Sequence, residues 1–291
     1  MNKDVFVFTI AYNCGLIVKK CLESYHKYHD TPIHIFGTKN DLDLIDKHDN
    51  NVYIDITDDT VIRNAYTQGH LGTAHIWANV INKHYGDYSK VIQIDSDVLF
   101  LNECLNDITN LFDEGYDLIG TRRSYKTIAG LQDVVGTFFV GVNIDKITKR
   151  DYNTIVQMSA GYHNPAGHHV IDFFDPISFD ILYNGGRIYH LNYGEYGSCD
   201  ENGNFDNGYL GMNTLYDYGT KIVHFAGIGS GMNFYNNGDG NVPHTYTSWA
   251  KSRYALYVKL FYNEDINIPY NNDDYLLSVN YLPKDFIFNK N

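Results

Sequence analysis

Short apolar runs alternate along the first half of the chain with longer stretches in which apolar residues recur every three or four positions. Val5–Ile10 reads as a β-strand. Leu16–Tyr28 places Leu16, Ile17, Cys21, Leu22 and Tyr25 on one side of a helix, and Ile33–Gly37 returns to strand character. The sequence continues with a strand at Val52–Ile56, a helix at Thr73–His84 whose apolar face is Ile76, Trp77, Val80 and Ile81, and a strand at Val91–Ile94. Strand and helix in alternation predict an α/β fold with a mostly parallel sheet covered by helices.

Farther along, the pattern predicts a helix at Leu105–Phe112 and strands at Asp117–Gly120 and Thr137–Ile144. Asp145 is placed to cap a helix running to about Ala160, ended by Gly161. From Tyr193 to Asn241 the chain is rich in Gly, Asn, Asp and Tyr, with one strand-like run at Lys221–Phe225. Trp249–Tyr262 is helical in pattern, and a tail with Pro269 and Pro283 is expected to wrap the domain. Without a linker or an internal repeat, residues 1–291 read as one domain. The half with alternating strand and helix patterns spans about 1–120, and an irregular half spans about 121–291.

The strand at Val91–Ile94 ends in Asp95-Ser96-Asp97. In an extended segment residues two apart point to the same side, so the two carboxylates can reach one hard divalent ion, which in turn can hold a diphosphate. An acidic pair capping a strand as plain surface chemistry is the alternative. In a parallel sheet ligands bind beyond the carboxyl ends of the strands, and the Thr9–Asn13 segment stands at another such end.

Charge narrows the partners. With 22 basic residues against 35 acidic ones, a net charge of −13 argues against nucleic acid, and an anionic substrate would need a local remedy such as a metal. Cys14, Cys21, Cys104 and Cys199 match neither zinc spacing nor a disulfide framework, which favours a reducing, cytoplasmic setting. Val5–Ile10 is too short for a signal sequence and no segment is long and apolar enough to span a membrane.

In order along roughly residues 1–230, the motifs resemble those of GT-A glycosyltransferases, which move a sugar from a nucleoside-diphosphate donor with a metal held by an Asp-x-Asp motif. Phe138-Phe139-Val140-Gly141-Val142-Asn143 resembles the strand that lies beside the donor sugar, and Lys221-Ile222-Val223-His224-Phe225-Ala226-Gly227 resembles the late segment whose histidine completes the metal site. The order of motifs is most similar to retaining, glycogenin-like members. The resemblance implies a GT-A, Rossmann-like fold, an Mn²⁺ or Mg²⁺ ion on Asp95, Asp97 and His224, and a UDP-sugar donor of hexose type. It implies a carbohydrate, protein or small-molecule acceptor. Thr9, Ala11, Tyr12, His75, Asp95, Ser96, Gly227 and Gly229 would contact the donor, with Tyr12 stacking on the base.

Other roles stay open for several of these residues. His224 could be a structural histidine closing a buried strand, Tyr12 a core aromatic, and the segment before His75 a plain helix start capped by Thr73. Arg122 and Arg123 either meet phosphate or are solvated. Two departures from the family stand out. Ser230-Gly231-Met232-Asn233 replaces a Lys-Pro-Trp that supplies a phosphate-binding lysine, and Gly167-His168-His169-Val170-Ile171-Asp172 stands where a Gly-Asp-Gln faces the sugar. His169, Asp172 and Asp175 are the candidate catalytic groups near the acceptor. The loops Tyr193–Asn207 and Ile228–Val242 are expected to cover the bound donor. An apolar strand followed by Asp-x-Asp also opens the haloacid-dehalogenase phosphatases, although there the motif stands near the start of the domain. The abundance of tyrosine and phenylalanine also suits a non-catalytic sugar-binding protein.

Overall fold

The computed structural model describes residues 5–66, 71–83, 88–127, 130–136, 138–147, 174–191, 213–215, 221–225, 227–229, 244–265, 271–273 and 276. Its opening segment is β1 (Val5–Ala11), α1 (Gly15–Tyr28), β2 (Ile33–Gly37), the short α2 (Lys39–Leu42) and β3 (Asn51–Asp55). Next come α3 (Thr60–Tyr66), α4 (Leu71–Lys83), β4 (Lys90–Ile94), β5 (Val98–Phe100) and α5 (Leu105–Asp113). The chain continues through β6 (Leu118–Thr127), β7 (Gly130–Val135), β8 (Phe139–Asn143), α6 (Asp175–Tyr183), β9 (Ile188–Leu191), β10 (Asn213–Leu215), β11 (Ile222–His224) and α7 (His244–Tyr262).

The main sheet has the order β3-β2-β1-β4-β8-β6-β7, with β9 also pairing β6. The pairs β1–β2, β2–β3, β1–β4 and β6–β9 are parallel, while β8 lies antiparallel between β4 and β6. The α/β class and the mostly parallel sheet expected from the pattern are therefore observed. After β1 the chain winds outward to β2 and β3, then returns to place β4 on the other side of β1. This reversal makes a switch point between the ends of β1 and β4, the position at which open α/β sheets bind ligands.

Alternation along β1 explains how the sheet is sandwiched. Val5, Val7 and Ala11 join one apolar cluster with Ile17, Val18, Cys21, Leu22 and Tyr25 of α1, whereas Phe6 and Phe8 join the other with Trp77 and its neighbours on α4. Burying each of these large side chains is worth about 1.5–3 kcal/mol. The α1 face differs by one residue from the expected stripe. Leu16 is half exposed and Val18 is buried in its place, because the helix starts at Gly15 and turns its 17-18-21-22-25 face inward.

Other expectations need correction. α4 begins at Leu71, so Thr73 is inside the helix and not its cap. β6 is longer than Asp117–Gly120 and forms a hairpin with β7, which puts Arg122 and Arg123 on its ladder opposite Val135 and Val134. After β8 the chain makes a 3-10 turn at Ile144–Lys146 with Asn143, not Asp145, as the cap. The rest of the helix expected up to Ala160 lies outside the described residues, as do 193–207 and 230–242, the segments expected to cover the donor. Among the described residues no helix is long and apolar enough to cross a membrane.

His29 ends α1 with its ring against Tyr25 and Phe100, and burial pushes its pKa down from 6.5 to about 4, aided by His26. Glu103 Oε1 stands 3.6 Å from Nδ1, but burial prevails and the ring is neutral near pH 7. A histidine with a lowered folded pKa takes up its proton more readily when unfolded, so stability is lost as pH falls from 6.5 toward 4. Urea unfolding of His29→Asn and of the parent at pH 7 and pH 4.5 is expected to show a smaller acid-induced loss in the variant, by about 2 kcal/mol. Equal losses in both proteins would assign the acid sensitivity to other groups.

Candidate metal centre

The acidic motif occupies a turn and not an extended segment. Val98 N–H donates to the Asp95 carbonyl at 3.4 Å, closing Asp95-Ser96-Asp97 into the link between β4 and β5. The carboxylates converge because of this turn and because of what docks on β5. β11 pairs antiparallel with β5, so His224 stands opposite Val98, and the ladder is extended by Phe225 N–H donating to Asp97 O at 2.9 Å. A residue far along the chain is thereby registered against the acidic pair.

Asp95, Asp97 and His224 each offer one ligand atom, all within 4.8 Å of one another, and among the described residues they are the one such metal-capable group. His224 Nε2 is 3.2 Å from Asp97 Oδ1 and 3.9 Å from Asp95 Oδ2. Divalent ions such as Mg²⁺ take donors at about 2.1 Å, which sets neighbouring corners of an octahedron about 3 Å apart. The spacing fits such an ion after a small contraction at Asp95. Two carboxylates and one imidazole suit Mn²⁺ or Mg²⁺ better than an all-sulfur or all-histidine set would.

The second oxygen of each carboxylate is already committed. Asp97 Oδ2 accepts from Gly229 N–H at 3.1 Å, and Asp95 Oδ1 accepts from Gln93 Nε2 at 2.8 Å. Gln93 Oε1 in turn accepts from Trp77 Nε1. Because the indole can only donate, this fixes the amide so that its nitrogen faces Asp95. Phe138 stacks on the His224 ring at 4.4 Å and 15°, and its carbonyl accepts from Asp95 N–H at 2.8 Å. His224 Nδ1 is buried and makes no hydrogen bond among the described residues. Packing against Phe138 therefore sets the ring plane, and Nε2 is the nitrogen presented to the two aspartates.

Burial alone would raise the Asp97 carboxyl. The His224 charge and hydrogen bond, together with the Gly229 N–H, outweigh it and hold the group below its ordinary range. Asp97 is thus a carboxylate at neutral pH despite being 5% exposed.

The remaining expected residues are placed as follows. Thr9 and Ala11 are buried on β1, Tyr12 is partly buried against the Trp77-side cluster, and Ser96 forms the tip of the acidic turn. Gly227 has φ +88, a conformation that glycine adopts without strain. Gly229 enters the site through its amide on Asp97, and a Cβ there would meet Ser96 Oγ at 2.2 Å. His75 is buried in α4 with its pKa lowered by burial, opposed by Asp59, and is not in the metal-capable group. His169 and Asp172 lie outside the described residues. Asp175 opens α6, next to Phe174, whose ring packs edge-on against Trp77 at 5.1 Å. Lys221, three residues before His224, is held by Asp107 of α5. Gln93 was not singled out from the sequence, although a lone amide inside the apolar run Lys90-Val91-Ile92-Gln93-Ile94 is a usable signal.

No family model matches the sequence, and no curated protein matches it. Solved structures that overlap part of the fold include mouse xyloside xylosyltransferase 1 in its apo form, at TM-score 0.42 and 13% identity, covering 65% of this chain and 85% of that one. An active-site mutant of LgtC overlaps at TM-score 0.43 and 18% identity, covering 64% and 72%. The galactosyltransferase LgtC in complex with donor and acceptor sugar analogs overlaps at 0.41 and 16%, covering 64% and 73%.

Gln93→Leu removes the donor that orients Asp95 and leaves the Trp77 N–H without its acceptor. Mn²⁺ affinity, read by calorimetric titration, is expected to fall about 10- to 100-fold, with a stability loss of about 1–3 kcal/mol. Unchanged Mn²⁺ affinity in the folded variant would show that Asp95 needs no such orientation.

Proposed function

We propose that the chain is a metal-dependent glycosyltransferase of GT-A type, moving a hexose-type sugar from a nucleoside-diphosphate donor, UDP-sugar first, to a carbohydrate, protein or small acceptor, with retention at the sugar carbon. The observation that carries this reading is the meeting of Asp95, Asp97 and His224 beside the β1–β4 switch point, where an open sheet takes its nucleotide. The motif order along the sequence agrees with it.

A bound divalent ion would neutralise charge on the departing diphosphate as a Lewis acid. The protein's own residues do the rest. Asp97 and His224 hold their donor atoms in place before any ligand arrives, Asp97 through the Gly229 amide and His224 through the stacked Phe138. Asp95, steadied by Gln93, offers Oδ2 to the ion or to the donor's ribose. The turn from Ala11 to Asn13 lies at the neighbouring strand end and would receive the nucleoside, with Thr9, Ala11 and Tyr12 lining it and Ser96 and Gly227 on the phosphate side. In a chain of net charge −13 an anionic donor needs a local source of positive charge, which that metal would supply. Asp175, Asp172 and His169 remain the proposed groups near the acceptor and the sugar.

Asp97→Asn is expected to lower metal-dependent donor hydrolysis and transfer by roughly 10²-fold or more while circular dichroism stays that of the parent. A fully active Asp97→Asn would remove the metal from the mechanism. An imidazole binds metal only without its proton, so Mn²⁺ affinity should decline as pH is lowered, and His224→Ala should abolish that part of the pH dependence. Turnover of phosphomonoesters in preference to nucleotide sugars would favour a phosphatase, and binding of free sugar with no turnover a lectin.

A further inference from the structure

The turn between β1 and α1 is held by a carboxylate from elsewhere in the chain. Asp41, on α2, is 5% exposed, and its side chain accepts from Asn13 N–H at 3.0 Å, Gly15 N–H at 3.0 Å and Thr38 Oγ1 at 2.6 Å. A buried carboxylate is costly unless it is fully hydrogen-bonded and electrostatically favoured. Here three donors and the amino end of α1 supply both conditions.

Capping α1 does not account for the whole arrangement. The residue at the N-cap is Cys14, whose side chain makes no capping bond, and a Ser or Asp there would serve the helix locally. Asp41 reaches one residue farther back, to Asn13, which sits in the left-handed region at φ 55. α2 also lies directly on the turn, since a Cβ on Gly15 would meet Asp41 O at 2.6 Å and its Cα at 3.0 Å. On the other side, the Cys14 thiol is 3.8 Å from Ile10 O at the end of β1. Asp41 therefore clamps the turn at the carboxyl end of β1, one strand away from the acidic turn that follows β4.

We infer that Asp41 is a positioning residue for the nucleoside end of the donor, holding the Tyr12–Gly15 turn in its binding shape while leaving the metal ligands untouched. This rests on the glycosyltransferase reading, in which that turn receives the nucleoside. The ligand class is a nucleoside diphosphate, recognised in part by main-chain groups whose placement depends on the clamp.

The test compares Thr38→Val, Asp41→Asn and Asp41→Ala with the parent, in UDP binding with Mn²⁺ present and in Mn²⁺ binding with no nucleotide. Affinity for UDP should fall in graded fashion, several-fold for Thr38→Val, about tenfold for Asp41→Asn, which keeps one acceptor, and more for Asp41→Ala. Mn²⁺ affinity without nucleotide should stay within about twofold in all three, and amide exchange should quicken at Asn13 and Gly15 while Ile92 and Gln93 of β4 stay protected. A folded Asp41→Asn with parental UDP affinity would overturn the proposal, as would a parallel loss of Mn²⁺ affinity, which marks general damage. A parent that binds Mn²⁺ but none of UDP, GDP, CMP or dTDP would instead refute the nucleotide reading underneath, and the proposal with it.

Discussion

The ladder between β5 and β11 is the constraint on which the candidate site depends. Three residue pairs, extended by Phe225 N–H on Asp97 O and by Leu101 N–H on Lys221 O at 2.8 Å, register His224 against a turn that belongs to the first half of the chain. All the side chains of β5 and β11 other than His224 enter the α1-side core, so burial holds the two strands together while the hydrogen bonds set their register. A slip of one residue would turn His224 to the opposite face and take its Nε2 away from the nearly buried Asp97.

The candidate metal centre is supported from both faces of the main sheet. On one face Trp77 and Gln93 orient Asp95, and on the other Cys21 Sγ approaches the Asp95 carbonyl at 3.8 Å while Phe225 packs on Tyr257 of α7. Each carboxylate keeps one oxygen for a fixed protein donor and one for an ion. Donor atoms held in this way need little rearrangement to receive an ion.

Local pattern made much of this legible. The strands β1, β2 and β4, the helices α1, α4 and α5 and the acidic pair at the end of β4 all appear where alternation and helical periodicity place them, because each buries a face whose period is written in adjacent residues. What was missed has one feature in common. α2, α3, α6 and the β6–β7 hairpin carry patterns too weak or too short to mark an element. Thr73 was misplaced as a cap because α4 is buried almost all round and so gives no sharp start signal.

The sequence by itself determined the α/β class and the acidic pair, and offered His224 as the third member only through the resemblance of its late segment. Tertiary structure decided three things that no local spacing contains. β4 sits beside β1 and creates the switch point, β11 docks on β5 and brings His224 to the aspartates, and Asp41 crosses from α2 to hold the turn after β1. The physical reason is the same in each case. Periodicity reports which face of an element is buried, but only the packing of complete elements decides which polar groups end up within hydrogen-bonding or ligand distance of one another.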